Sequence, residues 1–256
     1  MKIEVWADIV CPWCGLGNHR LDNALAQFAH RDRLQIHHRS FQLNPAAPVG
    51  ESMPSRQMLH EVAGMSERQI RTSMSRIEEL AAQEGLAPFH VSDNRVGNTT
   101  LAHELLAYAT DRGWHVEAWH AVFGAYFART ADIFTVDGLV GLAHGWGLDP
   151  EEARDALESR RYRGRVDADA REAVRLGASG VPFIVVDGRH QLSGAQPSSE
   201  LLAVLDRARN EPHPHRRRKE SLPANVAQGI AWGAGVAAVA EWLDDADDVG
   251  SNRPDA

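Results

Sequence analysis

Cysteine is almost absent from this chain, with two in 256 residues, too few for the disulfide framework that staples small secreted domains. Positive charge is also short. The formal net charge of −8 excludes a general nucleic-acid binder, whose footprint is a basic surface. Long apolar runs are missing. Glu4 and Asp8 interrupt what would be the core of a signal peptide, and the initiator Met1 stands against a leader already removed. The late apolar stretch from Gly229 to Ala240 is too short and too rich in glycine to span a bilayer. A cytoplasmic address with no membrane partner is therefore expected. Nor is there a second paired spacing of metal ligands. One C-x-x-C offers two of the four ligands a zinc site takes, leaving His19, His37 or His38 to complete it without a motif of their own, so no metal is expected.

The two cysteines that are present stand together, as Cys11-Pro12-Trp13-Cys14, behind an apolar run and ahead of a helical pattern. Cysteines at this spacing can join only where the backbone turns tightly, and the opening of a helix supplies such a turn. Free backbone N–H groups and the positive end of the helix dipole favour a thiolate there, and can lower a cysteine pKa from about 8.5 to roughly 3.5–7.5. Pro12 at the first helical position costs no hydrogen bond. The order along the chain makes Cys11 the exposed, attacking sulfur and Cys14, one turn further in, the buried sulfur that resolves a mixed disulfide. Asp8 stands three residues before Cys11, on the same strand face as Trp6. Its carboxylate is expected either to accept the proton that Cys14 must lose or to cap the helix.

The period-2 pattern of Ile3 to Ile9 predicts a first strand. Leu21, Leu25 and Phe28 give the 3.6-residue stripe of a helix from Pro12 to about Ala29, and Leu34 to Phe41 reads as a second, parallel strand. After Asn44-Pro45 helical periods take over, with no convincing strand for more than a hundred residues. Ser66 and Gln69 form a capping box ahead of the stripe Ile70, Met74, Ile77 and Ala81, which stops at Gly85. Val116, Trp119, Phe123 and Phe127 make a bulky face of core type, and Asp149-Pro150-Glu151-Glu152 is a helix start. A helix from Asp167 to Leu176 precedes the buried strand Phe183 to Val186. Asp187-Gly188 is the turn to a partner strand, His190 to Ser193, and a closing helix opens at Pro197 with the stripe Leu201, Leu202 and Leu205. Pro182, at the entry to a buried strand, cannot donate to the ladder and is a candidate for a cis bond with Val181.

Together, Asp8 with the C-P-W-C motif, Arg39-Ser40-Phe41-Gln42-Leu43, Asn98-Thr99 before Ala102-His103, Gly180-Val181-Pro182-Phe183 and Ser193-Gly194-Ala195-Gln196-Pro197 resemble the DsbA-type thioredoxin oxidoreductases, in their FrnE-like cytoplasmic branch. The likeness spans roughly residues 1 to 209. It implies an α/β thioredoxin fold (βαβ, then ββα) interrupted by an all-helical insertion: residues 1–45 and 161–209 form the thioredoxin part, 46–160 the insertion and 210–256 a C-terminal tail. It implies disulfide exchange by Cys11 and Cys14, supported by Pro12, Trp13 and a cis Val181–Pro182 bond packed against the sulfurs. Gly180, Val181, Phe41, Gln42 and Asn98 would face the substrate. The chain departs from the family where an aromatic usually follows the second cysteine, which here is Gly15, and where Asn18-His19 replaces a more basic pair. Both changes suggest less bulk and less fixed charge beside the sulfurs.

The expected activity is thiol–disulfide exchange with protein thiols or disulfides, or with glutathione as co-substrate, and with no cofactor beyond the cysteine pair itself. A glutathione-dependent isomerase of the 2-hydroxychromene-2-carboxylate type shares the fold branch, but Cys14 counts against it. A non-catalytic holdase is the third reading. In the tail, Arg216-Arg217-Arg218-Lys219 and the acidic run Asp244 to Asp248 read as a solvated segment, and His213 and His215 are too few to argue for metal.

Overall fold

The computed structural model describes residues 1–211; the basic cluster, the acidic run, His213 and His215 lie outside the described residues. Strand β1 (Lys2–Ala7) leads to helix α1 (Pro12–Gln27) and to β2 (Gln35–Ser40), which pairs parallel to β1 with Ile3 opposite Ile36. Alternation along β1 sends Ile3 and Val5 to one face and Trp6 to the other.

The insertion follows. Strand β3 (Ser52–Pro54), α2 (Ser55–Glu61), α3 (Glu67–Gln83) and β4 (Arg95–Gly97) come first, then α4 (Thr100–Asp111), α5 (His115–Phe127), α6 (Val136–Gly145) and α7 (Pro150–Glu158). The two-stranded antiparallel ribbon of β3 and β4 corrects the expectation that this stretch holds no strand. Each strand is three residues long, one carries Pro54 and the other Gly97, so neither shows the alternating run by which strands are read. The caps are as expected. Ser66 Oγ accepts from Gln69 N while Gln69 Oε1 accepts from Ser66 N, and Asp149 Oδ1 accepts from the backbone N–H groups of Glu151 and Glu152.

Helix α8 (Arg163–Arg175) starts four residues before the predicted helix and returns to the sheet. The Trp6 indole N–H donates to the Asp169 carbonyl, and Asp169 accepts from Arg39 and from Ser40 N, so this face is covered. Strand β5 (Phe183–Val186) runs antiparallel to β1, and β6 (His190–Ser193) antiparallel to β5, giving the order β2-β1-β5-β6. All four residues of β5 are buried because both faces are covered, by α8 on one side and by α1 and α9 (Ser198–Asn210) on the other. The turn between β5 and β6 holds Asp187 and Gly188 at φ 52° and 69°, the left-handed region that Asp and Gly tolerate best. In α9 the buried residues are Leu201, Val204, Leu205 and Ala208, with Leu202 at the margin of the cluster.

A histidine pair joins β2 to the insertion. His38 N donates to His115 Nε2 at 2.8 Å, so His115 carries its proton on Nδ1, where it meets Thr110 Oγ1 at 2.8 Å. The His38 ring stacks on Trp119 and its Nε2 meets Asn18 Oδ1 at 2.7 Å. Burial, and then the neighbouring histidines, lower His38 to about 3. Burial, His37 and nearby arginines lower His115 to about 4. Both are neutral when folded and take up a proton when unfolded below about pH 6.5. The unfolded state therefore binds more protons on the acid side, and stability is lost as pH falls from about 6.5 towards 4, by up to about 1.4 kcal/mol per pH unit for each histidine. Urea unfolding across this range should give a slope that His115→Gln cuts by about half; an unchanged slope would mean that His115 does not set it.

Candidate active site

Strand β1 ends at Ala7, and the chain turns at once, with Cys11 N donating to the Asp8 carbonyl at 3.2 Å. Cys11 is the N-cap of α1 with extended φ/ψ, Pro12 is in the first turn, and the Cys11 carbonyl accepts from Cys14 N and Gly15 N. No acidic side chain lies in this first turn, so none within the helix itself offsets its positive end. Both cysteines are free thiols.

Cys11 is 2% exposed and Cys14 is 1% exposed, which corrects the expectation of an exposed attacking sulfur. The reason is the insertion: both sulfurs belong to the same apolar cluster as Leu105, Val122 and Phe127. The Val181–Pro182 bond is cis, and the Cys11 thiol points to the Val181 carbonyl, Sγ to O 3.7 Å. Burial, reinforced by the hydrogen bond and charge of Cys11 and by the charge of Asp8, pushes the Cys14 thiol well above its usual value, against an opposing backbone hydrogen bond at Asp8.

Asp8 lies just past the strand and is wholly buried. It does not cap α1, whose N-cap has no side-chain hydrogen bond. Its Oδ2 accepts from Leu43 N at 2.7 Å, and its Oδ1 stands 3.4 Å from His103 Nε2. His103 is 0% exposed, and its Nδ1 has no hydrogen-bond partner among the described residues. The charges of Asp8 and Cys11 both act on Tyr126, whose phenol is pushed well above its usual value by burial first.

Gly15 is where an added Cβ would stand 2.6 Å from the Phe127 ring and 2.9 Å from the Phe89 ring. The expected loss of bulk beside the sulfurs is therefore corrected, because the insertion fills the gap with two stacked phenylalanines, 4.2 Å between centroids. Arg20 binds Glu84 of the α3 C-terminus and the Ala195 carbonyl, fastening α1 to both the insertion and the loop after β6.

Cys11, Pro12 and Trp13 open onto a cavity of about 240 Å³ whose far walls belong to the insertion, including Met53, Met58, Met65 and Met74. Of the other residues singled out in the sequence, Val181 faces Cys11, and Pro182 packs towards Gly17 of α1. Gly180 is half-buried at the start of this loop. Asn98 donates to the Pro45 and Ala47 carbonyls and so shapes the loop on the cavity rim. Phe41 packs in the core with Trp6 and Phe183, and Gln42 donates to Thr100 Oγ1, so neither lines the cavity. Sequence reasoning missed His103 as the partner of Asp8, Tyr126, and the methionine wall. The one signal available was compositional, with four of the chain's five methionines falling between positions 53 and 74.

A probable DsbA oxidoreductase from Streptomyces coelicolor has a similar crystal structure, 38% identical, at a TM-score of 0.80 over 90% of this chain and 99% of that one. Two more distant structures share the fold. A 2-hydroxychromene-2-carboxylate isomerase is 17% identical at a TM-score of 0.60, covering 81% and 95% of the two chains. The cytosolic disulfide reductase DsbM from Pseudomonas aeruginosa is 20% identical at 0.54, covering 81% and 98%. With a model of the DSBA-like thioredoxin domain matching residues 2–206, the chain belongs to that family.

Proposed function

We propose that the protein is a thiol–disulfide oxidoreductase in which Cys11 attacks a substrate disulfide and Cys14 resolves the mixed disulfide. The observation that carries this reading is the placing of two free thiols in the first turn of α1, with the Val181 carbonyl 3.7 Å from Cys11 Sγ. The helix end stabilises negative charge as the Cys11 thiolate forms. The Cys14 proton is held by burial until its turn comes, which keeps the two sulfurs from acting in the wrong order. Attack forms a Cys11–substrate S–S bond and expels one substrate thiolate. Attack by Cys14 then closes the Cys11–Cys14 disulfide and releases the second thiol, so two electrons pass from protein to substrate. The reverse sequence oxidises two thiols. A cytoplasmic setting suits the reductive direction.

The test is a single turnover with dithiodipyridine. The reduced wild-type protein should release two equivalents of thiopyridone and end as an intramolecular disulfide. Cys11→Ser should react about a hundredfold more slowly, because the remaining thiol is buried and protonated. Equal rates for the two proteins would remove Cys11 from the mechanism and leave polypeptide holding as the better reading.

A further inference from the structure

The cavity beside Cys11 determines what can stand against that sulfur. Among the described residues no lysine, arginine or histidine lines it, and the ionisable groups that do are Cys11 itself, Glu51 and Tyr126. Tyr126 is held in its neutral form, its hydroxyl donating to the Arg95 carbonyl at 2.6 Å. A carboxylate entering here would lose its water, find no cation, and meet the negative charge of Glu51 and of a Cys11 thiolate. An apolar group gains from the same surroundings by leaving water.

Size and access narrow the class further. At about 240 Å³ the cavity exceeds the roughly 150 Å³ of an apolar cavity that accepts benzene, so a benzyl-sized group fits with room to turn. Four methionines are among the lining residues, and their flexible chains adapt to occupants of different outline. Cys11 is 2% exposed and its thiol faces Val181 on the thioredoxin side, so a compact disulfide that enters the cavity reaches this sulfur more readily than one held rigidly on a folded protein surface. The open approach is through the cavity.

We propose that the exchanging substrate of Cys11 is a small, uncharged disulfide bearing an apolar group, aromatic or branched, which fills the methionine-lined cavity. The inference rests on the thiol–disulfide reading above and assigns its substrate class. The Cys11 thiolate attacks the sulfur that bears the apolar group, and the other half leaves as a thiolate and takes a proton from water. Cys14 then displaces the apolar thiol from Cys11. The protein dithiol is oxidised and the substrate leaves as two thiols.

Stopped-flow tryptophan fluorescence, to which Trp13 on the cavity wall contributes, reads the first step in the reduced full-length protein. Four disulfides are compared: benzyl hydroxyethyl disulfide, bis(hydroxyethyl) disulfide, glutathione disulfide, and a disulfide-linked peptide with an apolar residue beside its cysteine. Each rate is divided by the rate of the same disulfide with a free cysteine peptide. The benzyl compound should exceed each of the other three about tenfold or more and show saturation. Met58→Lys, which places a cation in the wall, should lower the ratio of benzyl to glutathione rates by at least about tenfold. Equal or faster reaction of glutathione disulfide with the wild type, or a ratio unmoved in Met58→Lys, overturns the charge argument. Fastest reaction of the peptide overturns the assignment to small molecules. Failure of all four disulfides to react would overturn the exchange activity itself, whereas reaction of the benzyl compound without selectivity over the other three would overturn only the substrate assignment.

Discussion

Raising the pH from about 6 to about 8 should accelerate the second sulfur transfer, attack of Cys14 on the Cys11 mixed disulfide, about a hundredfold. Cys14 sits well above the ordinary thiol range chiefly because it is buried, and below its pKa the thiolate fraction grows tenfold with each pH unit. Once Cys11 is bonded to substrate its own charge and hydrogen bond no longer act, but burial and the Asp8 charge remain. The proton needs an acceptor, and Asp8 is the carboxylate whose charge reaches both Cys14 and Tyr126 while Leu43 N and His103 hold it in place. Asp8→Asn keeps an oxygen for Leu43 N and removes the acceptor, so resolution near neutral pH should slow about tenfold. The two possible roles of Asp8 have opposite signs. If its charge merely held Cys14 protonated, removing that charge would make resolution faster. Decay of a Cys11 mixed disulfide, followed by stopped flow in both proteins across the pH range, separates the two.

Gly15→Phe should cost about 3 kcal/mol in urea unfolding, at the upper end for overpacking a filled core. The new Cβ alone would stand 2.6 Å from the Phe127 ring, and that ring is stacked on Phe89 and bounded by Tyr126. Phe127→Ala by itself should cost about 3–5 kcal/mol through the cavity it leaves. Combined, the two changes should be less harmful than their sum by about 2 kcal/mol, because the introduced ring takes the vacated space. Strict additivity would show that the two positions do not share one volume.

The local chemistry of the fold was legible because it is written in contiguous residues. Ser66 and Gln69 announce α3, Asp149-Pro150 announces α7, and the apolar run Phe183–Val186 followed by Asp187-Gly188 announces β5 and its turn. The C-P-W-C motif marked the candidate site for the same reason. What escaped reading depends on partners far apart in the chain. Asp8 and His103 are 95 positions apart, and neither residue type carries a sign of the other. Cys11 shares its apolar cluster with Ile70, Phe89, Leu105 and Phe127, all far downstream in the chain. Phe41 and Gln42 sit beside the site in sequence, yet strand geometry turns Phe41 into the sheet core, and Thr100 holds Gln42. The β3–β4 ribbon is recognisable only once its two halves meet.

The pairing of β1 with β5 has a consequence in time. Ile3 lies opposite Val186, so on the ribosome the first strand waits for about 180 further residues before its antiparallel neighbour exists. At roughly 5–20 residues per second this is an interval of roughly ten to forty seconds. Until it ends, Val181 has not yet arrived to face Cys11. The helices that bury both sulfurs are themselves only partly synthesised for much of it. The nascent chain therefore passes through a window in which Cys11 and Cys14 meet the surrounding solution without the walls that later enclose them.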